Sequence, residues 1–276
     1  MQDTGKFRDT KDQYYTKRVI ATACVKEVVD SLPWTSTASA EALWIEPSAG
    51  AGAFLGLCNS EVIPIDLDPK ADGIIRGDFL KWSAPEDSRS RVFFGNPPFG
   101  RQGSLAKKFI AHACAQGARA IAFVLPRSFL KPSMYGCFPA EFHLVKQTEL
   151  PKNSFEVNKK DYDVPCVFQI WEKRPNMKRA QEEKTTPLGF EYVQPAQPYD
   201  LAFRRVGALA GTCYTPAEVS TPSPQSHHFL KFARPNPEIQ KRINSHTFPS
   251  NTTGPRSLSK PEINKVINLI IAEVEP

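Results

Sequence analysis

Pro97 and Pro98, set between Asn96 and Phe99, put the firmest limit on how this chain folds. The apolar run Arg91-Val-Phe-Phe-Gly95 before them reads as a buried strand. Two successive prolines must end it, because each fixes φ and removes a backbone donor. The loop that follows is stiff and keeps its carbonyls uncovered. The Asn96 side-chain oxygen and the Pro97 carbonyl then form an acceptor pair matched to the two hydrogens of an sp² amino group. Such an amine is a poor nucleophile until acceptors draw it toward tetrahedral geometry. Phe99 adds a flat face for a planar ring. Asn-Pro-Pro also serves as a plain turn after a strand, so its surroundings must decide.

Those surroundings form an ordered series. Leu43-Trp-Ile-Glu46 reads as a short buried strand, and Pro47-Ser-Ala-Gly-Ala-Gly-Ala-Phe54 as a small-residue loop entering a helix. That layout lets a backbone approach a nucleotide-like ligand closely. Glu46 ends the first strand, where it can accept from a cationic amine. The run Glu61-Val-Ile-Pro-Ile65 then delivers Asp66 and Asp68, with Asp66 in the better register for ribose hydroxyls. Gly77-Asp78-Phe79 follows a third short segment and suits an adenine amino group and ring face. Each carboxylate alone is an ordinary surface charge; their order is what points to a site.

With these residues in place the chain resembles a known family. Glu46-Pro-Ser-Ala-Gly-Ala-Gly52 is similar to the S-adenosylmethionine loop of class I methyltransferases, and Asn96-Pro-Pro-Phe99 to the signature of the amino methyltransferases. Gln13-Tyr-Tyr-Thr16 resembles the aromatic-Thr element ahead of the cofactor loop in the N6-adenine group. The order of the three motifs is that of the γ-type DNA adenine methyltransferases. The resemblance spans residues 12–174, including Phe123-Val-Leu-Pro-Arg-Ser-Phe-Leu130, Leu150-Pro-Lys-Asn-Ser-Phe155 and Val164-Pro-Cys-Val-Phe-Gln-Ile-Trp171.

It implies S-adenosylmethionine as cofactor, held by Tyr15, Thr16, Glu46, Gly50, Gly52, Phe54, Asp66, Asp78 and Phe79. It implies a target base held by Asn96, Pro97, Pro98 and Phe99, with Phe155 on its second face. The substrate expected is adenine in nucleic acid, DNA ahead of RNA. Three alternatives stay open: a protein glutamine amide, a guanine amino group, or a binding subunit without activity. Asn in place of Asp in the signature leaves no strong base, which implies direct attack by the amine with the proton lost afterwards.

Composition is compatible with this. Thirty-five Lys and Arg against 29 Asp and Glu give a net charge of +6, a modest excess that suits nucleic acid without requiring it. The polar N-terminus, the absence of a long apolar run and six scattered cysteines suggest an intracellular protein, cytoplasmic or nuclear, not secreted and without a metal site.

Alternating strands and helices predict a doubly wound α/β sheet of the Rossmann-like methyltransferase kind. Helices are expected over Lys17 to Ser31, with Val19, Ile20, Ala23, Cys24 and Val28 inward, and over Gly103 to Gly117, with Leu105, Phe109, Ile110 and Ala113 inward. A strand from Val164 to Trp171 would pair with Phe142 to Thr148. The catalytic domain is expected over 1–174 and a linker over 175–198. A small α+β appendage would cover 199–276, ending in a helix that opens at the Ser259-to-Glu262 capping box. Arg101 beside the signature, and Arg204 and Arg205 with Lys231, Arg234, His227 and His228 in the appendage, are candidate phosphate contacts.

Overall fold

The structure is a computed structural model that describes residues 14–36, 42–58, 60–179, 185–250, 252 and 255–274. Gln13 of the aromatic-Thr element and part of the expected linker lie outside these residues. The chain divides into two compact units, 1–181 and 182–276.

In chain order the first unit holds β1 (Tyr15–Thr16), α1 (Arg18–Ser31), β2 (Ala42–Glu46), β3 (Val62–Asp66), β4 (Ile75–Arg76) and β5 (Ser90–Gly95). After these come α2 (Ser104–Ala115), β6 (Ala118–Pro126), β7 (Phe142–Glu149), β8 (Phe155–Val157), β9 (Lys160–Tyr162) and β10 (Cys166–Lys173). Seven strands form one sheet in the order β4-β3-β2-β5-β6-β10-β7. The first five run parallel, and β10 pairs antiparallel with both β6 and β7. The chain starts in the middle of the sheet at β2, winds out to β4, then returns to β5 on the other side. This is the doubly wound fold expected from the sequence, and its strand order reverses between β2 and β5.

The parallel strands are apolar on both faces because both faces are covered. Ala42, Trp44, Val92, Phe94, Ala120, Ala122 and Val124 point to the layer closed by α1. Leu43, Ile45, Phe93, Ile121, Phe123 and Leu125 point to the layer closed by α2. On α2 the buried stripe is Ala106, Phe109, Ile110 and Ala113, one residue off the expected set because Leu105 is only half-buried. On α1 the stripe is Ala21, Cys24, Val25 and Val28. Val19 is 70% exposed, so the expected face was rotated by part of a turn.

No helix follows the glycine loop. Gly50, Gly52 and Gly56 all have positive φ (52°, 79° and 66°), which an α-helix does not accept. Successive i→i+3 turns carry the chain instead: Gly52 N donates to Ala49 O, Leu55 N to Gly52 O and Leu57 N to Phe54 O. A separate three-stranded sheet, β1-β8-β9, sets Thr16 opposite Phe155 and Phe155 opposite Tyr162.

The second unit holds β11 (Phe190–Val193), β12 (Leu201–Arg204), β13 (Cys213–Tyr214), β14 (His227–Phe232), α3 (Pro237–Ser245) and α4 (Lys260–Val274), with sheet order β11-β14-β12-β13. Strand β11 falls where a linker was expected. Phe190 packs on Phe232 across the sheet, so this stretch is part of a core. Helix α4 opens as expected, with Ser259 N and Ser259 Oγ both donating to Glu262 Oε2 at 2.8 and 2.7 Å. No helix among the described residues is long and apolar enough to cross a membrane.

Candidate active site

The carboxyl ends of β2, β3 and β5 open into a cavity of about 360 Å³ at the point where the sheet reverses its winding. Tyr14, just ahead of β1, and Tyr15 and Thr16 of β1 line it. Glu46 to Ala51, Ala53 and Phe54 follow from the glycine loop. Asp66, Leu67 and Asp68 come from the end of β3, Gly77 to Leu80 from beyond β4, and Asn96 to Phe99 from beyond β5. Leu105 and Phe109 of α2 complete the wall.

Three oxygens of residues that line this cavity are buried and have no hydrogen-bond partner among the described residues: Thr16 Oγ1, Glu46 Oε2 and Asn96 Oδ1. Buried acceptors are nearly always satisfied, and each orphan costs about 1–3 kcal/mol. The other buried unpartnered side-chain atoms among the described residues are all nitrogens: those of Trp44, Arg91, Arg127 and Arg256. All three orphaned oxygens belong to residues that line the same cavity.

Asn96 is held at its other end. Its Nδ2 donates to Tyr14 O at 3.3 Å, and its backbone carbonyl accepts from Ser48 Oγ at 2.8 Å. The amide nitrogen is taken by the backbone just ahead of β1, and Oδ1 is left without a partner among the described residues. Pro97 is buried beside it.

Glu46 is 1% exposed. Burial, and behind it the charge of Asp66, pushes its carboxyl up to about 8, so it is largely protonated at neutral pH when alone. Gly95, at φ 116°, lets it sit there: a Cβ on Gly95 would come within 3.1 Å of Glu46 Cγ.

Asp66 is fixed by two backbone donors, Gly50 N to Oδ2 and Asp68 N to Oδ1, each at 2.7 Å. Each oxygen keeps acceptor capacity for a hydroxyl. Asp68 instead pairs with Lys70 at 2.5 Å. Gly50 is required in place, since a Cβ there would meet the Tyr15 ring at 3.2 Å on a backbone of positive φ. Asp78 caps the next turn by accepting from Leu80 N at 3.0 Å.

Several expected contacts are placed differently. Gly52 shapes the turn and does not line the cavity. Phe79 lines it but is 2% exposed, its ring packed among Trp82, Phe93, Phe109 and His112. Phe155 is fully buried and does not reach the cavity. Its pairing with Thr16 and Tyr162 turns the ring into the α1-side core, so it offers no face to a base. Phe99 is 8% exposed and belongs to that core as well as to the cavity wall.

Arg101 is exposed two residues past Phe99 and outside the lining. In the second unit Arg204 Nε donates to Val206 O at 3.3 Å and Arg205 Nη2 to Gln225 O at 2.8 Å. His227 is buried, and burial with the charges of Arg205 and Lys260 pushes His228 down to about 4, so His228 is neutral at pH 7. Lys231 and Arg234 are exposed. Sequence reasoning did not single out Tyr14 or Ser48, which orient Asn96, although both lie inside the motifs that it marked. Among the described residues no His, Cys, Asp or Glu cluster could hold a metal ion.

No family model and no curated protein matches the chain. Among solved structures it is similar to a Pyrococcus horikoshii protein provisionally named as an RNA methyltransferase, at 18% identity and TM-score 0.47 over 62% of this chain and 91% of that one. It is also similar to the N-methyltransferase NodS of Bradyrhizobium japonicum WM9 in complex with S-adenosyl-L-homocysteine, at 14% identity and TM-score 0.38 over 63% and 93%. The plantazolicin methyltransferase BpumL in complex with SAH matches at 10% identity and TM-score 0.37 over 60% and 86%. Resemblance this distant adds nothing to the geometry above.

Proposed function

We propose that the chain transfers a methyl group from S-adenosylmethionine to the N6 amino group of adenine in nucleic acid, with DNA ahead of RNA. The observation that carries this reading is Asn96 Oδ1, buried, unpartnered and aimed by the Tyr14 carbonyl. S-adenosylmethionine, when bound, supplies an electrophilic methyl group on a sulfonium. The cavity residues suit it. Glu46 Oε2 and Thr16 Oγ1 are free acceptors for its ammonium, Asp66 is anchored to accept ribose hydroxyls, and Gly50 leaves room beside Tyr15.

Asn96 Oδ1 then accepts one amino hydrogen of the target, and the Pro97 carbonyl the other. The stiff Pro97-Pro98 loop keeps both acceptors in place, so the work is done by positioning and not by a strong base. A base reaching this cavity must leave its stack, which costs a few kcal/mol when it is paired and less when it is not.

The test is transfer of labelled methyl to duplex DNA, single-stranded DNA and RNA in parallel, with nucleoside analysis. N6-methyladenine is the expected product, formed faster on unpaired targets. Methylguanine, or label in a protein glutamine, would replace the adenine reading. Failure to bind S-adenosylmethionine would remove the whole of it.

A further inference from the structure

We infer that Arg18 is a positioning residue for the cofactor side of this cavity, an inference that rests on the function proposed above. The loop after β2 has no helix to satisfy its carbonyls, and among the described residues no backbone N–H donates to the Ala53 or Leu55 carbonyl. Arg18 reaches them across the fold. Its Nη1 lies 2.6 Å from Leu55 O, 3.1 Å from Ala53 O and 3.4 Å from Gly52 O. With two hydrogens on that nitrogen, the two short contacts are the bonds and the third is marginal.

The same stretch of chain clips the other end of the loop, where the Tyr15 ring packs over Gly50. One residue earlier, the Tyr14 carbonyl holds Asn96. On its far side the stretch is tied to the β8–β9 hairpin, by Lys17 N to Ser154 O at 3.0 Å and by Lys17 Nζ to Asp161 at 2.7 Å. Residues 14–18 therefore join the glycine loop to the catalytic amide, and Arg18 supplies the bonds to the loop's distal half. Arginine suits the task because its charge is permanent and its donors are held in a planar fork.

The experiment compares wild type, Arg18→Ala, Arg18→Lys and Lys26→Ala. Lys26 is an exposed residue of the same helix, paired with Asp30 and away from the loop. Hydrogen exchange is read in the ligand-free chain at the Gly52, Leu55 and Leu57 amides, and S-adenosylmethionine affinity is read by calorimetry. In Arg18→Ala, exchange at the three amides should rise and affinity should fall, each about fivefold, the scale of one net hydrogen bond. The rate at saturating cofactor should change little. Arg18→Lys should restore part of both effects, and Lys26→Ala should match wild type.

Unchanged loop exchange in Arg18→Ala overturns the inference, as does exchange that rises equally throughout α1. So does unchanged cofactor affinity. If wild type binds no S-adenosylmethionine, the proposed function fails, and loop exchange alone then decides the role of Arg18.

Discussion

Asn96 in the first unit and Asn264 in the second both tuck an amide away from solvent, and the two amides end differently. Asn264 is 4% exposed and used at both ends: Oδ1 accepts from Tyr192 OH at 2.7 Å, and Nδ2 donates to Thr185 O at 2.5 Å. Asn244 likewise accepts from Cys213 N and donates to Cys213 O, at 2.8 and 3.0 Å. Asn96 has a partner only for its nitrogen. A closed amide holds a fold together, whereas an amide with an orphaned, oriented oxygen keeps acceptor capacity for something else at a cost in stability. On the proposed reading the chemistry rests in the first unit, while the Asn244 and Asn264 amides of the second hold its fold together.

The sharpest way to break this contrast is Asn96→Ala. Methyl transfer should fall by about a hundredfold or more, the scale for losing one positioned acceptor, with cofactor affinity nearly unchanged. Turnover equal to wild type would remove Asn96 from the chemistry.

Glu46→Gln comes next and tests the second orphan. The folded state holds the Glu46 proton up to a pH of about 8, while an ordinary glutamate loses it near 4.5. Between those values the unfolded chain has released a proton that the folded one keeps, so Glu46 weakens the fold progressively as pH rises through this window. The Gln variant should be more stable than wild type by on the order of 4 kcal/mol at pH 8, with the gap closing toward pH 4.5. Denaturant unfolding across that range checks it, and a gap that does not vary with pH would refute it. The same variant should bind the cofactor more weakly.

Asn264→Ala should cost about 1–2 kcal/mol by thermal unfolding, because it strands the Tyr192 hydroxyl and the Thr185 carbonyl, and should leave cofactor affinity unchanged. Altered affinity would mean that the second unit takes part in the site. The smallest effect is expected from Arg204→Ala with Arg205→Ala. Nucleic-acid affinity and its salt slope should drop, by about 1 in the slope for each phosphate no longer neutralised, without change in the chemical step. An unchanged slope would take both arginines off the substrate path.

Much of the first unit was legible because its signals are local. Apolar runs of strand length mark β2, β5 and β6, and Pro97 and Pro98 end β5 by covalent geometry alone. Glu46 and Asp66 fall at strand ends whose positions the runs define. The second unit was read less well at its start. Phe190-Glu-Tyr-Val193 carries the alternation of a strand, yet its Lys-, Glu- and Pro-rich neighbourhood masked it. The orientation of Phe155 was out of reach, since it depends on pairing with two strands, one of them far from it in the chain.

The sequence by itself determined the alternation of strands and helices, the stiff Asn-Pro-Pro loop and the acids at the ends of β2 and β3, because periodicity, proline geometry and residue type are properties of neighbours in the chain. Only the tertiary structure decided which polar atoms are left without partners. It set the Tyr14 carbonyl against Asn96 Nδ2, put Arg18 on the loop that forms no helix, and turned Phe155 into the core. Hydrogen-bond satisfaction is a sum over everything that surrounds a group, and most of what surrounds Asn96, Glu46 and Thr16 is contributed from elsewhere in the chain.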